Sequence, residues 1–246
     1  MAVEEWRNFE CKGVKLNHSG FSPSNPIGFN TSWIEQYIDR KPNVIMEFGS
    51  YDGGDGVNYK QTFPDASVYS IEACKERFKV ISSYIDKFDV KAFNYAMCDY
   101  DGEIEFYQMT CPDTLDHPGM YGGSGSINKK TDKYKSDFPH IKEEASIKTP
   151  CRRLDTLCEE ENIGHIDFLH VDVEGAEHKV VKGFGELRPS MLWLETHLGK
   201  EYYGPDAYIK TELNEHLISI GYMQIIDTPN DTLYVLQKDF QKFRFI

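Results

Sequence analysis

What the chain lacks narrows its function first. In 246 residues no apolar run approaches the roughly 18 that a membrane helix needs. No cluster of basic residues is present either: Lys and Arg total 27 against 40 Asp and Glu, a formal charge of −13. So acidic a surface repels phosphate-coated partners, which argues against broad binding to nucleic acid or an anionic membrane. The six cysteines form no CxxC pair and no disulfide-module spacing, so reduced core thiols are expected. The opening MAVEEWRNFE has no basic segment leading into an apolar run; a cytoplasmic protein without a secretory leader is expected. Repeats and low-complexity tracts are missing too. The apolar content is ample, at 40% hydrophobic and 13% aromatic, which excludes disorder of the whole chain.

The order of elements points to one α/β domain over residues 31–246, preceded by a polar, turn-rich arm over 1–30. Asn30 or Thr31 can cap a helix through Trp33, Ile34, Tyr37 and Ile38, stopped by Pro42. Strands are expected at Val44–Phe48, Ser67–Ile71, Val90–Ala96, Ile166–Val171 and Met191–Leu194. Glu103–Met109 alternates and reads as a half-exposed hairpin strand. Tyr222–Ile226 and Thr232–Leu236 enclose DTPND and read as an antiparallel hairpin. Helices are expected over Arg77–Tyr84, Ala176–Leu187 and Tyr208–Ile220. Strands alternating with helices imply a mostly parallel sheet covered on both faces. Residues 110–147 break the rhythm with no strong period, and their glycines suggest a lid-like insertion.

Three constellations carry chemistry. The first strand runs into EFGSYDGGDG, where Gly49 and Gly53 let backbone approach a ligand closely. Glu72 ends the second strand about 20 residues after that glycine turn, placed to accept from two ribose hydroxyls. Together they indicate an adenosine-type cofactor. Glu47 and Asp52 crowd carboxylates around the turn, which suits a cationic sulfonium and would repel a pyrophosphate. The third constellation is HVDVEGAEH, where His170, Asp172 and Glu174 follow a buried strand into the ligand crevice. Glu174 and Glu177 also suit a helix N-terminus, so the dipole is a competing reason for them. The next strand ends in LETH and places Glu195 and His197 in the neighbouring crevice, His197 as a candidate base. These groups resemble a hard-oxygen set for a divalent cation, but no metal-specific spacing is present and no metal is assigned.

In order, VIMEFGSYDGG, YSIEA, NYAMCDYDGEIEFY, RRLDTL and IDFLHVDVEGAEHKVVKGF resemble the FkbM-type S-adenosylmethionine-dependent methyltransferases over roughly Val44 to His197. The resemblance implies a class I methyltransferase fold: a Rossmann-like, mostly parallel seven-stranded sheet with a C-terminal antiparallel hairpin. It implies S-adenosyl-L-methionine held by Glu47, Gly49, Ser50, Tyr51, Asp52 and Gly53. Glu72 with Ala73 would meet the ribose, and Ala96, Met97 and Cys98 the adenine. Asp172 would lie near the reacting methyl. The sequence departs from the family pattern at Glu47 for aspartate, Tyr51 for asparagine and His170 for lysine. The expected activity is O-methylation of a carbohydrate or other small polar acceptor, with Asp172, His197 or Glu195 as base. His170, Glu174, Tyr121 and Ser126 are the expected acceptor contacts. An NAD-dependent sugar-modifying enzyme and a non-catalytic binding module on the same fold are the alternatives.

Overall fold

A computed structural model describes residues 10–11, 14–15, 34–38, 40–110 and 123–240. A seven-stranded sheet forms its centre. Its strands are β3 (Val44–Phe48), β4 (Ser67–Ile71), β5 (Val90–Phe93), β9 (Phe168–Val171), β10 (Met191–Glu195), β11 (Tyr222–Asp227) and β12 (Asp231–Leu236). The spatial order is β11-β12-β10-β9-β3-β4-β5. All neighbours run parallel except β12, which is antiparallel to both β10 and β11. The expected seven-stranded, hairpin-ended sheet is therefore present. Two short strands, β1 (Glu10–Cys11) and β2 (Val14–Lys15), pair antiparallel in the expected N-terminal arm, most of which lies outside the described residues.

Alternate side chains of each central strand enter opposite cores, as period-two geometry requires. Met46, Phe48, Leu169, Val171, Leu192 and Leu194 face α6 (Glu177–Lys182) and α8 (Lys210–Ser219), with Val180, Val181, Leu213 and Leu217 packed on them. Ile45, Val68, Phe168, Met191 and Trp193 face the other way, against α1 (Ile34–Ile38), α2 (Gly54–Thr62) and α3 (Lys75–Ile81). Glu47, Ser70 and His170 occupy this second face near the carboxyl ends, and Glu47 is register partner to both of the others. A polar row thus crosses an apolar face, where burial must be matched by partners.

Several boundaries differ from the sequence reading. The strand expected over Val90–Ala96 is broken. Asn94 donates its side-chain amide to the carbonyls of Glu72 (2.7 Å) and Ala73 (3.1 Å), which turns the chain off the sheet edge. Ala96–Met97 becomes β6 of a second, three-stranded sheet. Glu103–Met109 lies within β7 (Gly102–Thr110), but its partner is β8 (Lys142–Arg152) across the insertion and not a tight hairpin strand. The insertion is also less irregular than its composition suggests. Thr131 caps α4 (Asp132–Asp137) by accepting from the Tyr134 amide, and residues 142–147 belong to β8. Their alternation is hidden because most of them are solvent-exposed, so polar residues occupy both faces. The helix expected over Ala176–Leu187 ends at Lys182, and those expected over Arg77–Tyr84 and Tyr208–Ile220 begin two residues to either side. The cap expected at Asn30 or Thr31 lies outside the described residues. Among the described residues no helix is long and apolar enough to cross a membrane.

Candidate active site

The site begins where β3 meets its glycine turn. Phe48 accepts from the Asp172 amide at 2.9 Å, and Gly49 donates to the Ile71 carbonyl at 2.9 Å. The three strand ends are thus tied together. Gly49 has φ +82°, and a Cβ there would lie 1.7 Å from the Asp172 carbonyl oxygen. Only glycine lets these two backbones touch. Tyr51 continues the turn in the left-handed region at φ +49° and donates its amide to Glu72 Oε2 at 2.8 Å. Cys74 donates to Glu72 Oε1 at 2.7 Å. Burial pushes the Glu72 carboxyl up to about 7, against the pull of these two amides and of Arg77. The Arg77 guanidinium stacks on the Tyr51 ring, 4.0 Å from its centre.

Two cavities meet at this turn. The first has Glu72 among its polar groups and Ala73, Ala96, Met97, Ile127 and Val173 among its apolar walls. The second is lined by Glu47, Ser50, Asp52, Asp55, His170, Asp172 and Glu174. Gly49, Tyr51, Gly123 and Asp172 border both.

The second cavity is a carboxylate cleft. Glu47 accepts from Ser70 Oγ (2.8 Å) and the Gly56 amide (3.1 Å). Burial, then the charges of Asp55 and Asp52, hold its carboxyl well above the usual range. Asp55 is raised by burial and by Asp52 and Asp172. His170 Nδ1 lies 3.1 Å from the Tyr59 hydroxyl, and burial pushes its ring down to about 4, so it is neutral at pH 7.

The third part is the turn after β9. Burial and the Glu174 carboxylate push Asp172 up to about 7, and a hydrogen bond from Glu195 opposes the rise. Glu195 is raised well above its usual range by burial and by Asp172, with which it shares a hydrogen bond. His197 Nδ1 stands 3.2 Å behind it, at Glu195 Oε1. Glu174 is held at φ +56°, and its carboxylate accepts from Lys130 Nζ (3.1 Å) and from the Tyr203 hydroxyl. Glu177 accepts from the amides of Val173 and Gly175, both at 3.2 Å, which closes the turn. Two trios, Glu47–Asp55–His170 and Asp172–Glu174–Glu195, bring potential metal-ligand atoms within 4.8 Å of one another. Within these trios Glu47 Oε2 accepts from Ser70 and the Gly56 amide, and Glu174 Oε2 from Lys130 and Tyr203.

Residues 47–222 match the family model described as the methyltransferase FkbM domain. The chain belongs to the FkbM methyltransferase family. It is 24% identical over 206 residues to the 2-O-methyltransferase NoeI of Sinorhizobium fredii (strain NBRC 101917 / NGR234), covering 78% of this chain and 72% of the relative. Among solved structures it is similar to an O-methyltransferase from Bacillus cereus in complex with SAH, at TM-score 0.43 and 12% identity over 89% of this chain and 84% of that one. The SAH-bound methyltransferase PaMTH1 of Podospora anserina gives TM-score 0.43 and 12% identity over 82% and 75%.

As an FkbM methyltransferase the chain uses S-adenosyl-L-methionine. The first cavity fits that group: a narrow apolar slot for a flat ring ends at a buried carboxylate able to accept from hydroxyls. The carboxylate cleft beside it suits a cationic centre. Of the residues singled out in the sequence, Glu72, Ala73, Ala96 and Met97 line the first cavity, and Gly49, Tyr51 and Asp172 border both. Glu47, Ser50, Asp52, His170 and Glu174 line the cleft only. Gly53 lies behind the turn, against Ile81, Tyr84 and Ile85. Glu195 and His197 line neither cavity and reach it through Asp172. Ser126 is buried with its hydroxyl donated to the Glu174 carbonyl, and Tyr121 lies outside the described residues. Asp55, Arg77 and Lys130 join the site without having been singled out. Asp55 was legible in the DGGDG run; Lys130 arrives from a distant segment and carries no local signal.

Proposed function

We propose that this methyltransferase transfers a methyl group to a hydroxyl oxygen of a neutral carbohydrate acceptor, as a small molecule or as part of a glycan. The observation that carries the reading is the cleft next to the cofactor cavity, lined, among the described residues, by five carboxyl groups and by no Lys or Arg. Carboxylates accept hydrogen bonds from vicinal hydroxyls, whereas they repel phosphorylated or carboxylated acceptors. Similarity to a protein named as a 2-O-methyltransferase supports transfer to oxygen. Cys74, Cys98, Cys151 and Cys158 are free and buried, which agrees with the cytoplasmic setting that goes with this reading.

When bound, S-adenosyl-L-methionine supplies a methyl on a sulfonium sulfur, open to in-line displacement. The chain supplies alignment and a proton acceptor. Asp172 borders both cavities, so of the three candidate bases it is the one able to touch an acceptor hydroxyl. A carboxyl at about 7 is also matched to taking a proton near neutral pH. Glu195 and His197 act as positioning residues behind it. His170, neutral and anchored by Tyr59, offers a polar contact without adding charge. Of the insertion expected as a lid, Gly123 and Ser124 lie against the cleft.

Labelled methyl donor and a panel of neutral, phosphorylated and carboxylated saccharides test the reading, with products located by mass spectrometry. Methylation of neutral saccharides is expected, on oxygen. Transfer confined to anionic acceptors, or to a nitrogen or carbon, would overturn it.

A further inference from the structure

Residues 123–130 form a strap between the cofactor cavity and the Asp172–Glu177 turn. Its backbone is fixed to β7 by a two-way bridge, Tyr107 to Ser126 at 2.8 Å and Ser126 to Tyr107 at 3.2 Å. One set of alternate residues grips the turn. Ser126 Oγ donates to the Glu174 carbonyl (2.7 Å), Asn128 Nδ2 to the Gly175 carbonyl (2.8 Å) and Lys130 Nζ to Glu174 Oε2 (3.1 Å). All three are buried, at 1–3% exposure. Ser126 Oγ also accepts from the Asn128 amide at 2.9 Å, which stiffens the strap itself.

The other set faces the cavities: Gly123, Gly125 and Ile127 all line the cofactor cavity. Gly125 rides on Phe106, where a Cβ would fall 2.5 Å from the ring, and Gly123 lies against the Tyr51 ring. The gripped turn is under strain. Glu174 is a non-glycine residue in the left-handed region, which persists only where surrounding contacts over-determine it. Lys130 has a fully buried side chain, with its Nζ 3.9 Å and 4.4 Å from the ring centres of Tyr203 and Tyr134. An ammonium so placed needs its carboxylate, so charge and strain enforce the same conformation.

We propose that Ser126, Asn128 and Lys130 are positioning residues of the methyl transfer. From alternate positions of one strap they lock Glu174 in its left-handed conformation and hold Asp172 and Glu174 at the acceptor cleft. The intervening residues wall the cofactor cavity and stay held by the bridge to Tyr107 when the grip on the turn is loosened. The assignment of the cleft to an acceptor rests on the function proposed above.

Asn128→Asp replaces the amide donor with an acceptor facing the Gly175 carbonyl at nearly constant shape; Lys130→Met removes the charge and keeps the stem. With the full chain saturated by S-adenosylhomocysteine, amides of residues 173–177 should exchange at least about tenfold faster in Asn128→Asp, with β3 and β9 unchanged. Unaltered exchange, or turn and strands loosening together, overturns the proposal. Carboxyl-carbon NMR of Asp172 gives a second reading. Asp172 faces Glu174 and Glu177 on its own turn, Glu195, Asp231 and Asp55 on its neighbours, and Lys130 as its cation. Lys130→Met should raise its proton affinity about tenfold; an unchanged titration contradicts the role. With any saccharide the parent methylates, kcat/KM for that acceptor should fall about tenfold or more in both variants while the cofactor KM holds within about twofold. Parallel losses for both substrates, or none, count against positioning. A parent inactive on every saccharide defeats the acceptor reading alone, because exchange and titration still decide the strap.

Discussion

At the scale of single residues, the site is built from groups displaced from their ordinary states, and the displacement has a measurable sign. Burial pushes Glu72 and Asp172 up to about 7 and Glu177 up to about 8. A carboxyl raised on folding lends stability that is full below its unfolded value and is lost as pH rises through the folded one. His170 and His178, both pushed down to about 4, act oppositely, and only below their unfolded value near 6.5. From pH 8.5 down to 6.5 the raised carboxyls, and at the alkaline end the raised buried cysteines, act in the same direction, so the cofactor-free protein should gain thermal stability on acidification. Glu177→Gln keeps the acceptor for Val173 and Gly175 and should flatten that slope, with a Tm above the parent at pH 8.5. Scanning calorimetry across this range checks it, and a parent that loses stability towards pH 6.5 would refute it. Gly49→Ala is the sharpest steric test. A Cβ 1.7 Å from the Asp172 carbonyl, in a left-handed backbone, should cost about 3 kcal/mol or more. Titration calorimetry should also show S-adenosylhomocysteine binding weakened; a variant that melts and binds like the parent removes the argument.

At the scale of elements, the two ends of the parallel strands do different work. The carboxyl ends of β3, β4, β9 and β10 carry the site, where open loops replace hydrogen-bonded sheet. The amino ends carry a lock. Asp167, just before β9, accepts from Arg40 Nε (2.8 Å), the Asn43 amide (2.7 Å) and the Val44 amide (3.1 Å). Asp167→Asn removes the charge from that buried node and should cost about 2–4 kcal/mol. Its S-adenosylhomocysteine affinity should stay within about twofold, since the node is a strand length from the cavity. Urea unfolding beside titration calorimetry separates the two; a large affinity loss would show that the ends are coupled. Elements buried on both faces were legible from the chain, because VIMEF, SVYSI and MLWL are apolar runs bounded by turns. The edge at Val90–Ala96 was not, since a side-chain amide, Asn94, ends the strand against groups from another loop. β8 was not legible either: an exposed strand pairing across a long insertion leaves no hydrophobic period to read.

At the scale of the whole molecule, the charge of −13 acquires a location. Glu47, Asp52, Asp55, Glu72, Asp172, Glu174 and Glu195 converge on the paired cavities and their supporting turn, a grouping that suits a cationic cofactor. The sequence by itself determined the alternation of strands and helices, the glycine turn, the acidic strand ends and the family. Each is local: apolar periodicity, backbone freedom and charge at fixed spacing are properties of neighbouring residues. Only the tertiary structure decided which candidates touch the cavities, putting Asp172 on both of them and Glu195 and His197 behind it. It alone brought Lys130, Tyr203 and Asn128 to the turn from segments tens of residues away. Contacts between distant segments are chosen by packing and by the need to pair every buried charge, and neither is written in the spacing of a single stretch of chain.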